Sequence, residues 1–338
     1  MIKKVVVLAL IFVSFFNLSC SQKKSEAAKK SSELKIGLSI DTVIIERWKR
    51  DLEVFVTTAE KNGAQVLVQN ASNQVEEQIS QIEYLISQGV DVLVIVPKKS
   101  DSLTQVIQKA KAKNISVISY DRLILNADVD LYISVNSQKV GSLLAENMKS
   151  IVPKGSYFCI YGSEDDYNMN LLDRGIREIL TNPEISIDFR YYTPDWNYDL
   201  AYKKMNSLLD SGLIPDAVIC GNDAVAESII RSISEHMVEK AIPVSGQDAE
   251  ISACRRVVKG TQSATVYKPI DNLAKKASEF AVLLGSEKTI PEDLSEQTVF
   301  NGSKDVPVYW LEPALVTSSN INEVIIEPGF HTKKEIYR

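Results

Sequence analysis

The chain has 338 residues, an apolar content of 45% and a net charge of −6 at neutral pH. This length is enough for two domains of ordinary size, and the composition is that of a globular protein. The negative charge gives no electrostatic reason to bind nucleic acid or an anionic membrane surface. Only two histidines occur, His236 and His331, which weighs against a His-based metal site and against a Ser-His-Asp triad.

The first twenty residues predict an export signal. Two lysines come first, and residues 5–16 form an apolar run that is too short to cross a bilayer with ease. The following string NLSC ends in Cys20, and a small residue before a cysteine at this place resembles a bacterial lipobox. We therefore expect residues 1–20 to be a lipoprotein signal peptide and Cys20 to be lipidated. An ordinary cleaved signal peptide with an unrelated cysteine is the alternative.

Residues 21–33 are expected to form a flexible tether, because SQKKSEAAKKSS lacks any bulky apolar side chain that could enter a core. An anchor, a tether and a folded body predict a protein of the periplasm or cell surface, lipid-anchored to a bacterial membrane. Among the other cysteines, Cys159 and Cys220 lie in apolar strand patterns, which favours buried free thiols. The sequence leaves open whether two of Cys159, Cys220 and Cys254 form a disulfide.

From residue 34 onward, strand and helix patterns alternate. The predicted order is strand 34–40, helix 47–62, strand 64–69, helix 76–88, strand 90–96, helix 102–113 and strand 115–120. The apolar run 90–96 is unbroken, as in a parallel strand that is covered on both faces. Gly89 is expected to end the preceding helix as its C′ residue.

The same alternation restarts near Tyr132 and continues to residue 284, after which residues 306–316 and 324–330 are predicted to be extended. The predicted fold class is α/β, with two doubly wound parallel-sheet lobes joined by a multi-segment hinge. The expected first lobe comprises residues 34–133 and 265–302, and the second comprises residues 134–264 and 303–338. A cleft is expected between the lobes.

Polar residues follow the predicted strands at several of their carboxyl ends. The groups concerned are Arg47, Asp121-Arg122, Asn222-Asp223, Gln247-Asp248 and Lys268. Carboxyl ends of parallel strands open onto one crevice, so that these side chains are expected to form a site. Trp48 and Trp196 stand near such positions, and flat aromatic faces pack against the C–H faces of a sugar ring. This chemistry indicates a neutral polyol as the ligand.

Other interpretations of the same residues stay open. Asp223 and Asp248 could each be a helix N-cap, Trp48 could belong to the core, and Asp248 could pair structurally with Lys268. The acidic run 164–166 could hold a carboxylate pair for glycoside hydrolysis, although an acidic loop is the commoner explanation. Motifs for nucleotide, calcium or serine-hydrolase sites do not occur in the sequence. We therefore expect no catalytic residue, no metal site and no cofactor.

Several strings resemble one known family. SIDTVIIERWKRD, ISYDRLILNADVDLYIS, ICGNDAVAES, VSGQDAEI, GTQSATVYKPI and IIEPGFH are similar to the periplasmic D-xylose-binding proteins of bacterial ABC transporters, within the ribose-binding-like group. The resemblance covers residues 35–331 and implies the type I periplasmic-binding-protein fold. It implies that sugar hydroxyls are bound by Arg47, Asp121, Arg122, Asn168, Asn222, Asp248 and Lys268. It also implies that Trp48 and Trp196 stack on the sugar. The loop before Asn168 and the segment around Trp196 depart from the family pattern, which leaves open a related pyranose such as glucose.

The resemblance implies a monomeric binding subunit, without enzymatic activity, that captures a monosaccharide between its lobes and delivers it to an ABC permease. A sugar sensor that reports to a chemoreceptor or a histidine kinase would use the same binding residues. A periplasmic sugar hydrolase is a further alternative. A transcriptional repressor of the same fold would need a helix-turn-helix ahead of the body, where this chain has a predicted signal and tether.

Overall fold

The computed structural model describes residues 33–43, 47–291, 294 and 296–338. Cys20, the predicted signal peptide and the predicted tether up to residue 32 lie outside the described residues. Among the residues that are described, none of the helices combines the length and the apolar character that crossing a membrane requires.

Thirteen strands and ten α-helices alternate along the described chain. The strands are β1 (Leu34–Ile40), β2 (Ala64–Asn70), β3 (Val92–Ile95), β4 (Ser116–Tyr120), β5 (Leu131–Val135), β6 (Gly155–Tyr161), β7 (Ile185–Tyr192), β8 (Ala217–Cys220), β9 (Val244–Ser245), β10 (Thr265–Tyr267), β11 (Thr298–Phe300), β12 (Asp305–Leu311) and β13 (Ala314–Val316). The helices are α1 (Arg47–Lys61), α2 (Val75–Ser87), α3 (Thr104–Lys111), α4 (Ser137–Ile151), α5 (Tyr167–Ile179), α6 (Tyr198–Asp210), α7 (Asp223–Glu235), α8 (Ile251–Lys259), α9 (Ile270–Glu287) and α10 (Lys333–Ile336).

The first lobe is built on a seven-stranded sheet in the order β11-β12-β5-β4-β3-β1-β2. Every pairing in it is parallel except the antiparallel pairing of β11 with β12. All four residues of β3 are buried, as the unbroken apolar run predicts for a strand with helices on both faces. Gly89 has a φ of +70° and follows Gln88, the C-cap of α2, which confirms the predicted glycine C′ position.

The second lobe contains a parallel sheet in the order β7-β6-β8-β9. A bridge between Ser245 and Ala264 places the β10 segment beside β9, and β10 in turn pairs with β13. The chain passes between the lobes after β5, after β10 and after β12, so the connection has several segments. The predicted α/β architecture with two doubly wound lobes is confirmed.

Two strands lie in the opposite lobe from the predicted one. β12 pairs with β5 in the first lobe, with Val308 opposite Tyr132, although residues 303–338 were assigned to the second lobe. β10 pairs with β13 in the second lobe, although residues 265–302 were assigned to the first. The cause is physical, because strand pairing is a long-range choice that the local apolar pattern of a short strand does not encode.

The predicted extended conformation of residues 324–330 is wrong. Residues Asn322–Ile326 form a π-helical turn instead. Ile321 and Ile325 are both buried and pack in a small core with Cys254 and Phe330. Their spacing of four brings both side chains to one face of the helical turn.

Candidate functional site

All nine residues predicted to bind a ligand line one cavity between the two lobes. The empty space within it, including the part that is open to solvent, is about 320 Å³. The predicted residues in its lining are Arg47, Trp48, Asp121, Arg122, Asn168, Trp196, Asn222, Asp248 and Lys268. Asp166, Met169 and Gln247 also line the cavity, and they were not among the predicted ligand-binding residues. The structure therefore brings the whole predicted set together.

Most of these residues lie just after the carboxyl ends of strands. Asp121 and Arg122 come directly after β4, and Lys268 follows β10 at the point where the chain leaves the second lobe. Asn222 follows β8, and Asp248 comes three residues after β9. Because parallel strands point their carboxyl ends in one direction, the side chains that follow them meet at one edge of each sheet.

Asp121 is the centre of an ionic and hydrogen-bonded cluster in the cavity wall. Arg47 Nη2 lies 2.9 Å from Asp121 Oδ1, and Asn168 Nδ2 donates to Asp121 Oδ2 at 3.1 Å. Burial alone would raise the pKa of Asp121, but the charges of Arg47, Lys268 and Arg122 outweigh it and lower that pKa. Asp121 is therefore an ionised acceptor at neutral pH, and its contact with Asn168 joins the two lobes.

Arg122 is held by carboxylates from both lobes. Its Nη1 lies 2.5 Å from Asp41 Oδ2 in the first lobe, and its Nε lies 2.7 Å from Asp166 Oδ2 in the second. Burial raises the pKa of Asp166, and the positive charge of Arg122 opposes that rise. The guanidinium thus fixes the closed arrangement of the lobes while it lines the cavity.

Several buried polar atoms around the cavity have no hydrogen-bond partner among the described residues. They include Trp48 Nε1, Trp196 Nε1, Asn222 Nδ2, Asn168 Oδ1 and Gln247 Oε1. Buried donors and acceptors are nearly always satisfied in folded proteins, since leaving one unpaired costs about 1–3 kcal/mol. Two indole donors, an amide donor and two amide acceptors in one cavity are what a ligand with several hydroxyl groups would satisfy.

The structure resolves the capping and core interpretations. Asn222 is the N-cap of α7, where its Oδ1 accepts from the Val225 N–H at 2.8 Å. Asp223 is the first residue of that helix rather than its cap, and Asp248 is not the cap of α8, which is Glu250. Asn222 therefore both caps a helix and lines the cavity, because a strand-end residue can serve the two functions with different atoms.

Asp248 and Trp48 each line the cavity and also make the structural contacts that the alternative interpretations predicted. Asp248 Oδ1 lies 2.5 Å from Lys268 Nζ, so that the predicted ion pair exists within the cavity wall itself. Trp48 is only 2% exposed and belongs to the main core, while the Arg47 guanidinium stands 4.3 Å from its ring centroid. One face of the indole is thus supported by the protein, which fixes its orientation.

Asp223 is a buried carboxylate behind the cavity wall. It accepts hydrogen bonds from Gln262 Nε2 at 2.7 Å, Thr265 Oγ1 at 2.7 Å and the Glu250 N–H at 3.1 Å. Burial, reinforced by the nearby charge of Asp248, raises the pKa of Asp223 to about 7. Asp223 thereby joins the start of α7 to β10 and to the segment that holds Asp248.

We expect this carboxylate to make the protein less stable as the pH rises from about 4 to about 7. The raised pKa of about 7, against an ordinary value of 3.8, means that the folded chain binds more protons than the unfolded chain in this window. Through this pH window, the titration of Asp223 is expected to lower the free energy of unfolding by up to about 4 kcal/mol. Urea unfolding at several pH values should give a flatter pH dependence for Asp223→Asn than for the wild type. Glu146→Gln on the exposed face of α4 should leave it unchanged, and parallel curves for Asp223→Asn and wild type would contradict the assignment.

The three cysteines of the described region, Cys159, Cys220 and Cys254, are free and buried. Burial raises the pKa of the Cys159 thiol to about 12, and the pKa of Cys220 is also raised well above its usual value. The expectation of buried free thiols in the strands that carry Cys159 and Cys220 is confirmed. These thiols are structural and unreactive at neutral pH.

Comparison with known proteins gives a consistent result. The model of the periplasmic binding protein domain matches residues 36–289. The chain is 42% identical over 312 residues to the D-xylose-binding periplasmic protein of Haemophilus influenzae, covering 91% of this chain and 93% of the relative. It is 40% identical over 317 residues to the D-xylose-binding periplasmic protein of Escherichia coli, covering 92% and 95%.

A solved structure agrees with these relatives in fold. The ABC transporter solute-binding protein of Clostridium phytofermentans with bound β-D-glucose superposes with a TM-score of 0.81 at 29% identity, covering 89% of this chain and 99% of that one. The matched residues include all those that line the cavity, and β11, β12 and β13 follow after them. The chain belongs to the periplasmic binding protein family, as the resemblance in its sequence predicts.

Proposed function

We propose that this protein is the D-xylose-binding subunit of a bacterial ABC importer, which captures the sugar between its lobes and delivers it to the permease. The observation that carries the proposal is the cavity between the lobes that has two tryptophans and nine polar residues in its wall. The names of the two relatives at 42% and 40% identity support D-xylose as the ligand.

In the proposed recognition, aromatic rings contact the apolar faces of the sugar and polar side chains bind its hydroxyl groups. Trp48 and Trp196 would pack against the C–H faces of the pyranose and donate from their free Nε1 atoms to oxygens at its rim. Asp121 would accept from a hydroxyl, and Arg47 and Lys268 would donate. Closing the lobes excludes water and strengthens each of these contacts, so that binding shifts the population toward the closed form.

The proposal includes binding without chemical conversion of the sugar. Support comes from the carboxylates of the cavity wall, because Asp121 is paired with Arg47, Asp166 with Arg122 and Asp248 with Lys268. A carboxylate that is held in an ion pair is a good hydrogen-bond acceptor. The glycosidase interpretation of the acidic run 164–166 is thereby disfavoured.

A different monosaccharide is the second candidate ligand, and the observation that favours it is the bound β-D-glucose of the solved relative at 29% identity. Glucose differs from xylose by one hydroxymethyl group. To bind glucose, the cavity would have to accommodate this group beside the lining side chains. For comparison, one extra methylene in a hydrophobic pocket typically changes specificity about 10–200-fold.

The decisive experiment is calorimetry of the exported protein with D-xylose, D-glucose, D-ribose and L-arabinose, together with a thermal-shift series. We expect D-xylose to bind with the lowest Kd and to raise the Tm most, because a ligand at 100 times its Kd stabilises the fold by about 2.7 kcal/mol. If D-glucose binds with a lower Kd than D-xylose, glucose is the ligand and the assignment of D-xylose is wrong. Recovery of a chemically altered sugar would contradict the binding function. Growth on xylose after deletion would separate import from sensing by a chemoreceptor or a histidine kinase.

We further propose that the protein is a monomer anchored to the membrane through lipidated Cys20. The proposal rests on the sequence pattern NLSC and on the polar tether that follows it. Native mass spectrometry of the exported protein would report both the acyl chains and the oligomeric state, and a mass without acyl chains would contradict the anchor.

A further inference from the structure

One lysine of the first lobe contacts two acidic loops of the second lobe beside the cavity. Lys98, which follows β3, places its Nζ 2.9 Å from Asp195 Oδ1 and 3.7 Å from Asp165 Oδ2. The Lys98 side chain is only 6% exposed, whereas that of Asp195 is 61% exposed. Both carboxylates belong to the second lobe, so that any separation of the lobes breaks both contacts.

The loop that Lys98 contacts carries one of the two cavity tryptophans. Asp195 and Trp196 lie in a short 3-10 turn between β7 and α6, with φ values of +52° and +55°. This left-handed region is uncommon for residues other than glycine, and consecutive residues are kept in it only by surrounding contacts. The contact from Lys98 is one such restraint, and it acts on the residue next to Trp196.

We propose that Lys98 is a positioning residue that couples closure of the lobes to the placement of Trp196 against the ligand. The inference deepens the proposed function and rests on it, since it assigns an affinity-determining role to a residue outside the cavity lining. In the open form Lys98 and Asp195 are separately hydrated. When the lobes close, the ion pair forms and fixes the loop with Trp196 over the bound sugar.

Such a contact should act mainly on dissociation. An ion pair that exists only in the closed form delays opening and has little effect on the first encounter of sugar and open lobes. We expect Lys98→Gln to raise the dissociation rate of D-xylose about 5–50-fold in stopped-flow tryptophan fluorescence and to change the association rate less than about 3-fold. Asp195→Asn should have a similar effect.

Two further measurements distinguish this role from a general structural one. The double variant Lys98→Gln with Asp195→Asn should be no worse than the more affected single variant, because both changes remove the same contact. Raising the salt concentration should speed dissociation from the wild type and have little effect on Lys98→Gln. The matched control is Lys99→Gln, because Lys99 is the next residue, is 46% exposed and lies 3.9 Å from Asp165. It should change dissociation less than about 2-fold.

A ligand-free readout separates failure of this inference from failure of the proposed function. Spin labels at Lys61→Cys in α1 and Lys203→Cys in α6 report the distance between the lobes without sugar. We expect Lys98→Gln, and not Lys99→Gln, to lower the closed fraction. An unchanged closed fraction, or strictly additive effects of the two single variants, would overturn the role of Lys98. Failure of every sugar to bind the wild type would instead overturn the proposed function.

Discussion

Asp121→Ala is expected to weaken D-xylose binding by about 2–5 kcal/mol, which raises the Kd roughly 30-fold to several-thousand-fold. The carboxylate is buried between Arg47 Nη2 at 2.9 Å and Asn168 Nδ2 at 3.1 Å. Its removal takes away the shorter of the two ion pairs of Arg47 and leaves the guanidinium with Asp51 at 3.4 Å. The substitution also removes the carboxylate that is proposed to accept from a sugar hydroxyl, and it removes a contact between the lobes. Three contributions to binding are therefore lost together.

Calorimetry with D-xylose tests this prediction, and a second variant separates charge from shape. Asp121→Asn keeps the size of the side chain and loses its charge, so its affinity should lie between those of the alanine variant and the wild type. The matched control is Asp128→Ala, which removes a half-exposed carboxylate of the same lobe that is paired with Lys304. It should change the affinity less than about 2-fold. Wild-type affinity for D-xylose in Asp121→Ala would refute the assignment of Asp121 to the site.

Much of the site could be predicted because its position is a property of the sheet. Asp121, Asn222 and Lys268 each follow an apolar strand, and parallel strands deliver such residues to one edge whatever the detailed packing. The same argument does not depend on which lobe a strand belongs to. The cavity could therefore be predicted correctly although β10 and β12 were placed in the wrong lobes.

The cavity-lining residues that were not predicted to bind the ligand are residues whose sequence context favours a more common role. Met169 lies on the apolar stripe of α5, where nothing in the pattern distinguishes a cavity-lining side chain from a core one. Asp166 is the N-cap of α5, and its ion pair with Arg122 joins two lobes, which local patterns do not encode. Gln247 differs from these two, because the polar string VSGQD placed it among the strand-end groups expected to form the site, and only the set implied by the resemblance omitted it.

The placement of Trp196 depends on a glycine that the strand-end argument does not identify. Gly162 directly follows β6, and a Cβ atom added there would lie 2.1 Å from Trp196 Cζ2 and 2.2 Å from Cη2. These distances are far below van der Waals contact, so the indole packs on a backbone surface that has no side chain. The Gly162 N–H also donates to Met169 Sδ at 3.3 Å, which places two cavity residues against this one glycine.

Gly162→Ala is therefore expected to displace the Trp196 ring and to weaken D-xylose binding roughly 10–100-fold, in line with an overpacking cost of about 1–3 kcal/mol. The control is the same substitution in a Trp196→Ala background, where the ring no longer occupies the space that the new methyl group needs. If Gly162 acts through the tryptophan, the second substitution should cost little further affinity, and calorimetry of the four proteins gives the coupling. Additive losses would mean that the methyl group disturbs the backbone of the β6 end itself. The position of Trp196 would then be set by its own strained turn and by Lys98 rather than by the glycine beneath it.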